Sequence, residues 1–385
     1  MFQMIRTLIV LFTFSMLVGV ANAQTVDTLD RHWPRYISLG QYLQPFLTAD
    51  TIYDELVMPL SDGNSLPNGR LLFPAKTILS VRDAYLGQPY EEGKDWVWEG
   101  QRLVLTDSSR IPFLREQDLI FSEKREGFSQ PGKLPGTYVL FSEGELFHSK
   151  QLAVTYVPDR SGESLRRHLP HSEHLPQTLQ KLQARKPLHV VFYGNSIETG
   201  ANSSGVQHVP PFMPNWTELF IYRLRQHFGG GISYSNRAVG GKTAAWGVEE
   251  VDNRVSAQHP DLVVIGFGMN DGSSSVAPEK FVGQIKAIMG RVLRDNPACE
   301  FIVITPMLAN PAAVHHQIQA EYRNPLLGLS KKGVAVADMT CWHQWLLTHK
   351  AYQDMTGNNI NHPNDYLARW YAHVLIALLI EHDPI

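Results

Sequence analysis

The chain has few cysteines, no long run of like charge and no repeated segment, and each absence excludes a class of protein. Cys299 and Cys341 are the only cysteines in 385 residues, so disulfides cannot define the fold, whether these two pair or stay free. The formal net charge is −3, and no basic run carries interleaved aromatic residues, which argues against nucleic acid as a partner. The 43% hydrophobic content suits a globular chain with one large core or two moderate ones.

One long apolar run is present, near the N-terminus. The stretch "TLIVLFTFSMLVGV" follows a positively charged start and precedes the small residues of "ANA", Ala21 to Ala23. This layout predicts a signal peptide over residues 1–23, and the run is shorter than the ~20 residues of a membrane-spanning helix. We therefore expect export to the periplasm or the medium after cleavage, with no stable membrane anchor.

The first half of the chain contains short apolar runs separated by turn residues. "GRLLFPAKTILSVRDA", "DWVWEGQRLVLT" and "KQLAVTYV" are of this kind, and their spacing predicts an all-β, sandwich-like domain over residues 24–157. Its tryptophans and tyrosines are expected to fill the core, with a sugar-binding face as the alternative. Residues 158–186 are polar and contain several prolines, as is typical of a linker. Its histidines, His168, His171 and His174, have no carboxylate or cysteine partners at metal-ligand spacing, so a solvated linker is expected rather than a metal site.

Residues 187–385 alternate between apolar strands and amphipathic helices. Five strands, among them "LHVVFYG" and "DLVVIGFG", are separated by helices of period near 3.6 residues, and the last helix is expected to begin at Pro363. This alternation predicts a parallel sheet with helices on both faces.

Small and polar residues follow the predicted strands, at the edge where parallel sheets carry their sites. Ser196 lies in "YGNS", Gly241 in "AVGGKT", Asn270 in "GFGMND" and His362 in "NNINHPND". A serine becomes a nucleophile when a base such as histidine takes its proton. A backbone N–H at Gly241 and the amide of Asn270 can stabilise the resulting oxyanion. The set therefore predicts acyl transfer.

The four blocks resemble those of the SGNH, or GDSL-type, hydrolase superfamily over roughly Pro187 to His382. The resemblance implies a flavodoxin-like α/β/α domain of three layers with five parallel strands over residues 187–385. It also implies that Ser196 is the nucleophile and an oxyanion donor, that Gly241 and Asn270 are the other donors, and that His362 is the base. The front region is similar to the β-sandwich that precedes such domains in some exported carbohydrate esterases.

Two positions depart from the superfamily's pattern. Asn195 replaces an aspartate that lies away from the proton-transfer groups, so this change casts little doubt on the assigned catalytic residues. Asn359 replaces the aspartate that orients the histidine, and an amide cannot stabilise an imidazolium as a carboxylate does. The possible side-chain orienters of His362 are Asn359 itself and Asp354 in the same loop. Otherwise a backbone carbonyl orients the ring in a Ser–His dyad, or the activity is reduced. We favour the dyad, because nothing in the sequence forces Asp354 and His362 together.

The expected function is that of a secreted serine esterase that removes small acyl groups, above all acetyl, from a carbohydrate. A lipid or thioester substrate is one alternative. A catalytically weak glycan-binding protein is another, and Asn359 is the reason to consider it. Because serine, histidine and water suffice for the reaction, neither a metal nor an organic cofactor is expected.

Overall fold

The computed structural model describes residues 32–161 and 172–380. They form a β-rich N-terminal region and an α/β C-terminal domain, in agreement with the predicted fold class. The signal peptide, His168 and His171 lie outside the described residues. Within the described ranges, no helix is both long and apolar enough to cross a membrane.

The C-terminal domain is built on a sheet of five parallel strands. Numbered along this domain, the strands have the order 2-1-3-4-5. The first strand is therefore second in the sheet, the second strand lies beside it at one edge, and the other three extend the sheet on the opposite side. This is the flavodoxin-like strand order, and its reversal point lies between the first and third strands in sequence. The residue bounds are β12 (Leu188–Gly194), β13 (Ile232–Asn236), β14 (Leu262–Gly266), β15 (Glu300–Ile304) and β16 (Val334–Ala337).

Alternate residues of the central strands enter two separate cores. Val190 and Phe192 of β12 pack with the helices on one face, whereas Val191 and Tyr193 pack with those on the other. Because both faces are covered, these strands are apolar at almost every position. The helices are α3 (Pro176–Gln183), α4 (Trp216–Phe228), α5 (Ala244–Arg254), α6 (Met269–Ser273), α7 (Pro278–Asp295), α8 (Arg323–Leu327), α9 (Met339–His349) and α10 (Asp365–Ile376).

The N-terminal region contains three small sheets, of five, three and three strands, ordered β5-β6-β3-β2-β7, β1-β11-β4 and β8-β10-β9. The strands are β1 (Ile52–Val57), β2 (Leu60–Ser61), β3 (Asn68–Gly69), β4 (Ala75–Asp83), β5 (Trp96–Glu99), β6 (Arg102–Leu105), β7 (Leu114–Arg115), β8 (Ile120–Phe121), β9 (Ser129–Pro131), β10 (Tyr138–Leu140) and β11 (Leu152–Pro158). Two short helices are α1 (Leu39–Tyr42) and α2 (Glu116–Leu119). Trp96 is buried in the core, which agrees with the structural interpretation of that aromatic residue.

The two parts of the chain share one hydrophobic core. Helix α10 lies at their junction, where Phe46 stacks on Trp370 with ring centroids 4.4 Å apart. The buried Arg369 lies over the ring of Phe46 and donates hydrogen bonds to the carbonyl oxygens of Tyr53 and Gln44, each at 2.8 Å. The N-terminal region is therefore fixed firmly against the domain that carries the predicted site.

Three local features refine the sequence-based expectations. Part of the predicted linker is helix α3, whose first N–H groups are capped by the carboxylate of Glu300. The last helix begins at Asp365 rather than Pro363, because Asn364 caps it and Pro363 pairs with Thr356 instead. Cys299 and Cys341 are both free thiols.

Candidate active site

Ser196 lies in a tight turn directly after β12. Asn195 shapes this turn: its Oδ1 accepts a hydrogen bond from the N–H of Ile197 at 3.0 Å, and its Nδ2 donates to the carbonyl of Gly266 at 3.2 Å. An aspartate could make the first contact but not the second, since an ionised carboxylate only accepts. The departure from the superfamily's aspartate therefore has a structural role that only the amide fills.

A buried carboxyl group lies beneath the same turn. Glu198 accepts a hydrogen bond from the N–H of Asn195 at 2.9 Å. It fits between two glycines, because a Cβ at Gly194 or Gly266 would overlap the carboxyl group. Burial raises the pKa of Glu198 to about 8, against the hydrogen bond that favours its ionised form. Glu198 is thus neutral at pH 7, and no sequence motif pointed to it.

His362 is presented by a loop that folds around Asn358. The Oδ1 of Asn358 accepts hydrogen bonds from the N–H groups of Ile360, Asn361 and His362, at 2.9 to 3.1 Å. Such side-chain-to-backbone contacts hold a turn without regular secondary structure. His362 itself is buried, so its ring has a defined position.

The structure brings Ser196 and His362 together. The Oγ of Ser196 lies 2.9 Å from Nε2 of His362, which is the contact that a nucleophile and its base require. On the other side of the ring, Nδ1 lies 2.6 Å from Oδ1 of Asn202 and 3.2 Å from Oε2 of Glu143. Both partners are acceptors, so Nδ1 carries the proton and Nε2 is free to accept the one from Ser196.

The two other predicted oxyanion donors lie on loops that adjoin the serine. A Cβ at Gly240 would lie 3.8 Å from the Cβ of Ser196, so the glycine pair runs directly past the nucleophile. Gly241 has φ +75°, a left-handed conformation that favours glycine. Its backbone N–H and that of Ser196 meet no acceptor in the described part of the chain. Asn270 donates one hydrogen of Nδ2 to the carbonyl of Lys242 at 2.9 Å, which leaves the other hydrogen for a ligand.

Asp271 connects these two loops. Its buried carboxylate accepts hydrogen bonds from the N–H of Ala244, which follows the glycine loop, and from the N–H of Gly268, at 2.9 and 3.1 Å. Burial raises the pKa of Asp271 above its ordinary value, against these hydrogen bonds. The aspartate of the "GMND" block thus positions the oxyanion donors rather than reacting.

The two expected orienters of His362 are engaged elsewhere. Asp354 accepts hydrogen bonds from the N–H groups of Met58 and Ala351, at 2.6 and 2.9 Å. Asn359 donates its amide to the carbonyl of Leu140 at 2.9 Å. Side-chain acceptors, rather than a backbone carbonyl, occupy Nδ1. The Asp354 hypothesis does not match this geometry because Asp354 binds backbone N–H groups away from His362. The carbonyl-held dyad does not match it because side-chain oxygens contact Nδ1.

The structure also bears on metal binding. In residues 32–161 and 172–380, no group of three or more His, Cys, Asp and Glu side chains is arranged to hold a metal ion. His174, the one linker histidine that is described, lies 3.2 Å from the hydroxyl of Ser330 through Nδ1.

Comparison with known proteins places this site in a family context. Residues 192–369 match the model of the GDSL-like Lipase/Acylhydrolase family, a segment that contains Ser196, Gly241, Asn270 and His362. No curated protein matches the chain.

Solved structures similar to this one include two esterases. One is a two-domain esterase active on acetylated mannans, with 17% identity and a TM-score of 0.43 over 54% of this chain and 52% of that chain. The other is an acetylxylan esterase from Geobacillus stearothermophilus, with 16% identity and a TM-score of 0.41 over 51% of this chain and 96% of that chain. The chain thus spans about half the length of the first of these proteins.

Proposed function

Because residues 192–369 match the model of the GDSL-like Lipase/Acylhydrolase family, we propose that the protein is an exported serine esterase that removes small acyl groups, acetyl above all, from a carbohydrate. The observation that carries the proposal is the 2.9 Å contact between Oγ of Ser196 and Nε2 of His362. With the proton on Nδ1, the ring is in the tautomer that a general base needs.

The first half of the reaction forms an acyl-enzyme. His362 takes the hydroxyl proton while Oγ of Ser196 bonds to the ester carbonyl carbon, and the carbonyl oxygen becomes an oxyanion. The N–H groups of Ser196 and Gly241 and the amide of Asn270 stabilise that charge. When the tetrahedral intermediate collapses, the C–O bond to the sugar breaks and His362 returns its proton to the departing sugar oxygen.

The second half releases the acid. A water molecule gives a proton to His362 and its oxygen bonds to the acyl carbon, so that a second oxyanion forms at the same donors. The bond from the acyl carbon to Oγ of Ser196 then breaks, and His362 protonates the serine. The products are a carboxylic acid and the regenerated enzyme, and no redox partner or metal takes part.

The rim of the site supports a carbohydrate as the substrate. Gly240 and Gly241 are exposed beside the serine. Polar residues lie on both sides of the Ser196–His362 pair: Lys242 and Asn270 adjoin the glycine loop, and Asn202, Glu143 and Gln207 lie beyond the histidine. Amide and charged groups of this kind can hydrogen-bond sugar hydroxyls, whereas an alkyl chain would leave them unpaired. The predicted signal peptide over residues 1–23 supports export to the compartment where such polymers are found.

The decisive experiment compares ester hydrolysis by the wild-type protein with that by Ser196→Ala. Acetyl, butyryl and octanoyl esters of 4-nitrophenol serve as a chain-length series, and acetylated oligosaccharides serve as carbohydrate substrates. We expect the highest kcat/KM on acetyl esters and a loss on the order of 10⁴-fold or more in Ser196→Ala.

The matched control is Ser233→Ala, an exposed serine of β13 whose hydroxyl contacts His189 instead of His362. It should retain wild-type rates. Hydrolysis that survives in Ser196→Ala would reject the nucleophile, and a preference for octanoyl esters would replace the carbohydrate with a lipid substrate.

A further inference from the structure

We propose that Glu143, a residue of the N-terminal region, is the positioning carboxylate of His362, so that the catalytic group is completed across the junction between the two parts of the chain. This inference rests on the proposed esterase function. It assigns to the N-terminal region a direct role in the chemistry, through a carboxylate that is 219 positions from the histidine in sequence.

The position of the carboxylate relative to the ring carries the argument. Oε2 of Glu143 lies 3.2 Å from Nδ1 of His362, on the edge of the ring opposite to Ser196. When His362 takes the serine proton, the ring becomes a cation. An ionised carboxylate at this distance stabilises that cation, which a neutral amide does far less well.

The ionisation state of Glu143 suits this role. Partial burial acts to raise its pKa, but hydrogen bonds and the charge of His362 outweigh this, so the pKa of Glu143 lies below its ordinary value. The group is thus a carboxylate throughout the neutral range. Its side chain is 54% exposed, so solvent screens part of the interaction.

The loop that carries Glu143 is fastened to the C-terminal domain at three points. Its backbone carbonyl accepts hydrogen bonds from Nδ2 of Asn202 at 3.0 Å and from Nε2 of Gln207 at 2.7 Å. Its Oε1 accepts a hydrogen bond from Nδ2 of Asn358 at 3.2 Å. Both the backbone and the free end of the side chain are therefore held, and Oε2 remains directed at the histidine.

Asn202 and Glu143 have separate parts in this arrangement. Asn202 makes the shorter contact, 2.6 Å from its Oδ1 to Nδ1, and fixes which nitrogen carries the proton. Its close approach depends on Gly357, where a Cβ would overlap the side chain of Asn202. Glu143 adds the charge that Asn202 lacks. Together they replace the single aspartate that the superfamily's pattern places at position 359.

The test is Glu143→Gln, which keeps the shape and removes the charge. Because Asn202 still fixes the tautomer, we expect kcat on an acetyl ester to fall by about 10- to 100-fold, less than the 10⁴-fold that follows when the tautomer itself is lost. KM should change little.

The control is Glu145→Gln, two residues along the same loop, whose carboxylate accepts a hydrogen bond from Tyr85. It should match the wild type in kcat and KM, and Glu143→Asp should fall between Glu143→Gln and the wild type because it keeps the charge at a longer distance. If Glu143→Gln behaves as Glu145→Gln does, or alters KM alone, the positioning role is overturned. Loss of activity in Ser196→Ala in that same experiment would leave the esterase proposal standing, so the two failures are distinguishable.

Discussion

The side-chain amide of Asn359 donates a hydrogen bond to the backbone carbonyl of Leu140, 2.9 Å away in the N-terminal region. Leu140 ends β10, three residues before Glu143. The Oδ1 of Asn359 in turn accepts hydrogen bonds from Asn310 and Gln353. The position that the superfamily reserves for the orienting acid is therefore used to anchor the strand from which the Glu143 loop departs.

Asn359→Asp should lower activity, although it restores the superfamily's residue. A carboxylate cannot donate to the carbonyl of Leu140, and leaving that buried carbonyl unpaired beside a negative charge costs about 1–3 kcal/mol. The Glu143 loop would shift, and we expect kcat to fall by about tenfold with a lower melting temperature. Steady-state rates on an acetyl ester together with thermal unfolding measure both effects.

A double mutant connects this effect to Glu143. If Asn359 acts by holding the Glu143 loop, then Asn359→Asp should cost far less kcat in a Glu143→Gln background than in the wild type. Equal losses in the two backgrounds would contradict that connection. A gain in activity from Asn359→Asp alone would mean that the new carboxylate reaches His362.

Asp354→Asn should affect stability and leave catalysis nearly intact. Its carboxylate holds the N–H of Met58 and that of Ala351, and an amide would place a donor against one of these donors. We expect the free energy of unfolding to fall by about 1–3 kcal/mol, and kcat to stay within about twofold of the wild-type value. The exposed Asp107→Asn is the control for loss of a charge alone, and a kcat loss of several orders of magnitude in Asp354→Asn would restore it as an orienter.

Asn270→Ala should lower kcat by about 10²–10³-fold, the usual cost of one oxyanion donor. The amide also ties its loop to the carbonyl of Lys242, so the fold is checked by circular dichroism. An effect confined to KM would assign Asn270 to substrate binding. Its neighbour Asp271 bonds the N–H groups of both loops, and its replacement should destabilise the protein as well as slow it.

Much of the fold and half of the site follow from local sequence patterns. Strands that alternate with helices specify the sheet, and Ser196, Gly241, Asn270 and His362 each lie in a recognisable block at one edge of it. Each of these residues follows its own strand closely in sequence, and the carboxyl ends of parallel strands meet at one edge of the sheet. Their placement in one site can therefore be predicted. Asn202 is only six positions after Ser196, but its role depends on a left-handed turn with φ +65°, which the sequence "ETGANSSG" does not specify.

Local sequence patterns do not identify Glu143 as a site residue. It lies in an irregular loop, 219 positions from His362 in sequence, and its placement results from packing between two parts of the chain. The hypothesis that Asp354 orients His362 relied on nearness in sequence, and the dyad was the alternative when that nearness did not suffice. Asp354 does lie close in sequence, but its carboxylate is 3.8 Å from the buried Nζ of Lys350 and accepts a hydrogen bond from the N–H of Met58.

The buried Glu198 predicts how stability depends on pH. Burial raises its pKa from 4.5 to about 8 in the folded protein, whereas the unfolded chain ionises it near the ordinary value. Between these two values the folded state binds the extra proton, so the free energy of unfolding falls as pH rises through this window and the loss is complete above it.

Glu198→Gln, which has the shape of the neutral acid and keeps an acceptor for the N–H of Asn195, removes that dependence. We therefore expect the stability of Glu198→Gln relative to the wild type to increase from pH 5 to pH 8 and then level off, as measured by urea unfolding at pH 5, 6.5, 8 and 9. Esterase activity at neutral pH should change little, because the wild-type group is already uncharged there. A difference in stability that does not vary with pH would show that Glu198 is ionised beneath the nucleophile, and the neutral carboxyl group would have to be abandoned.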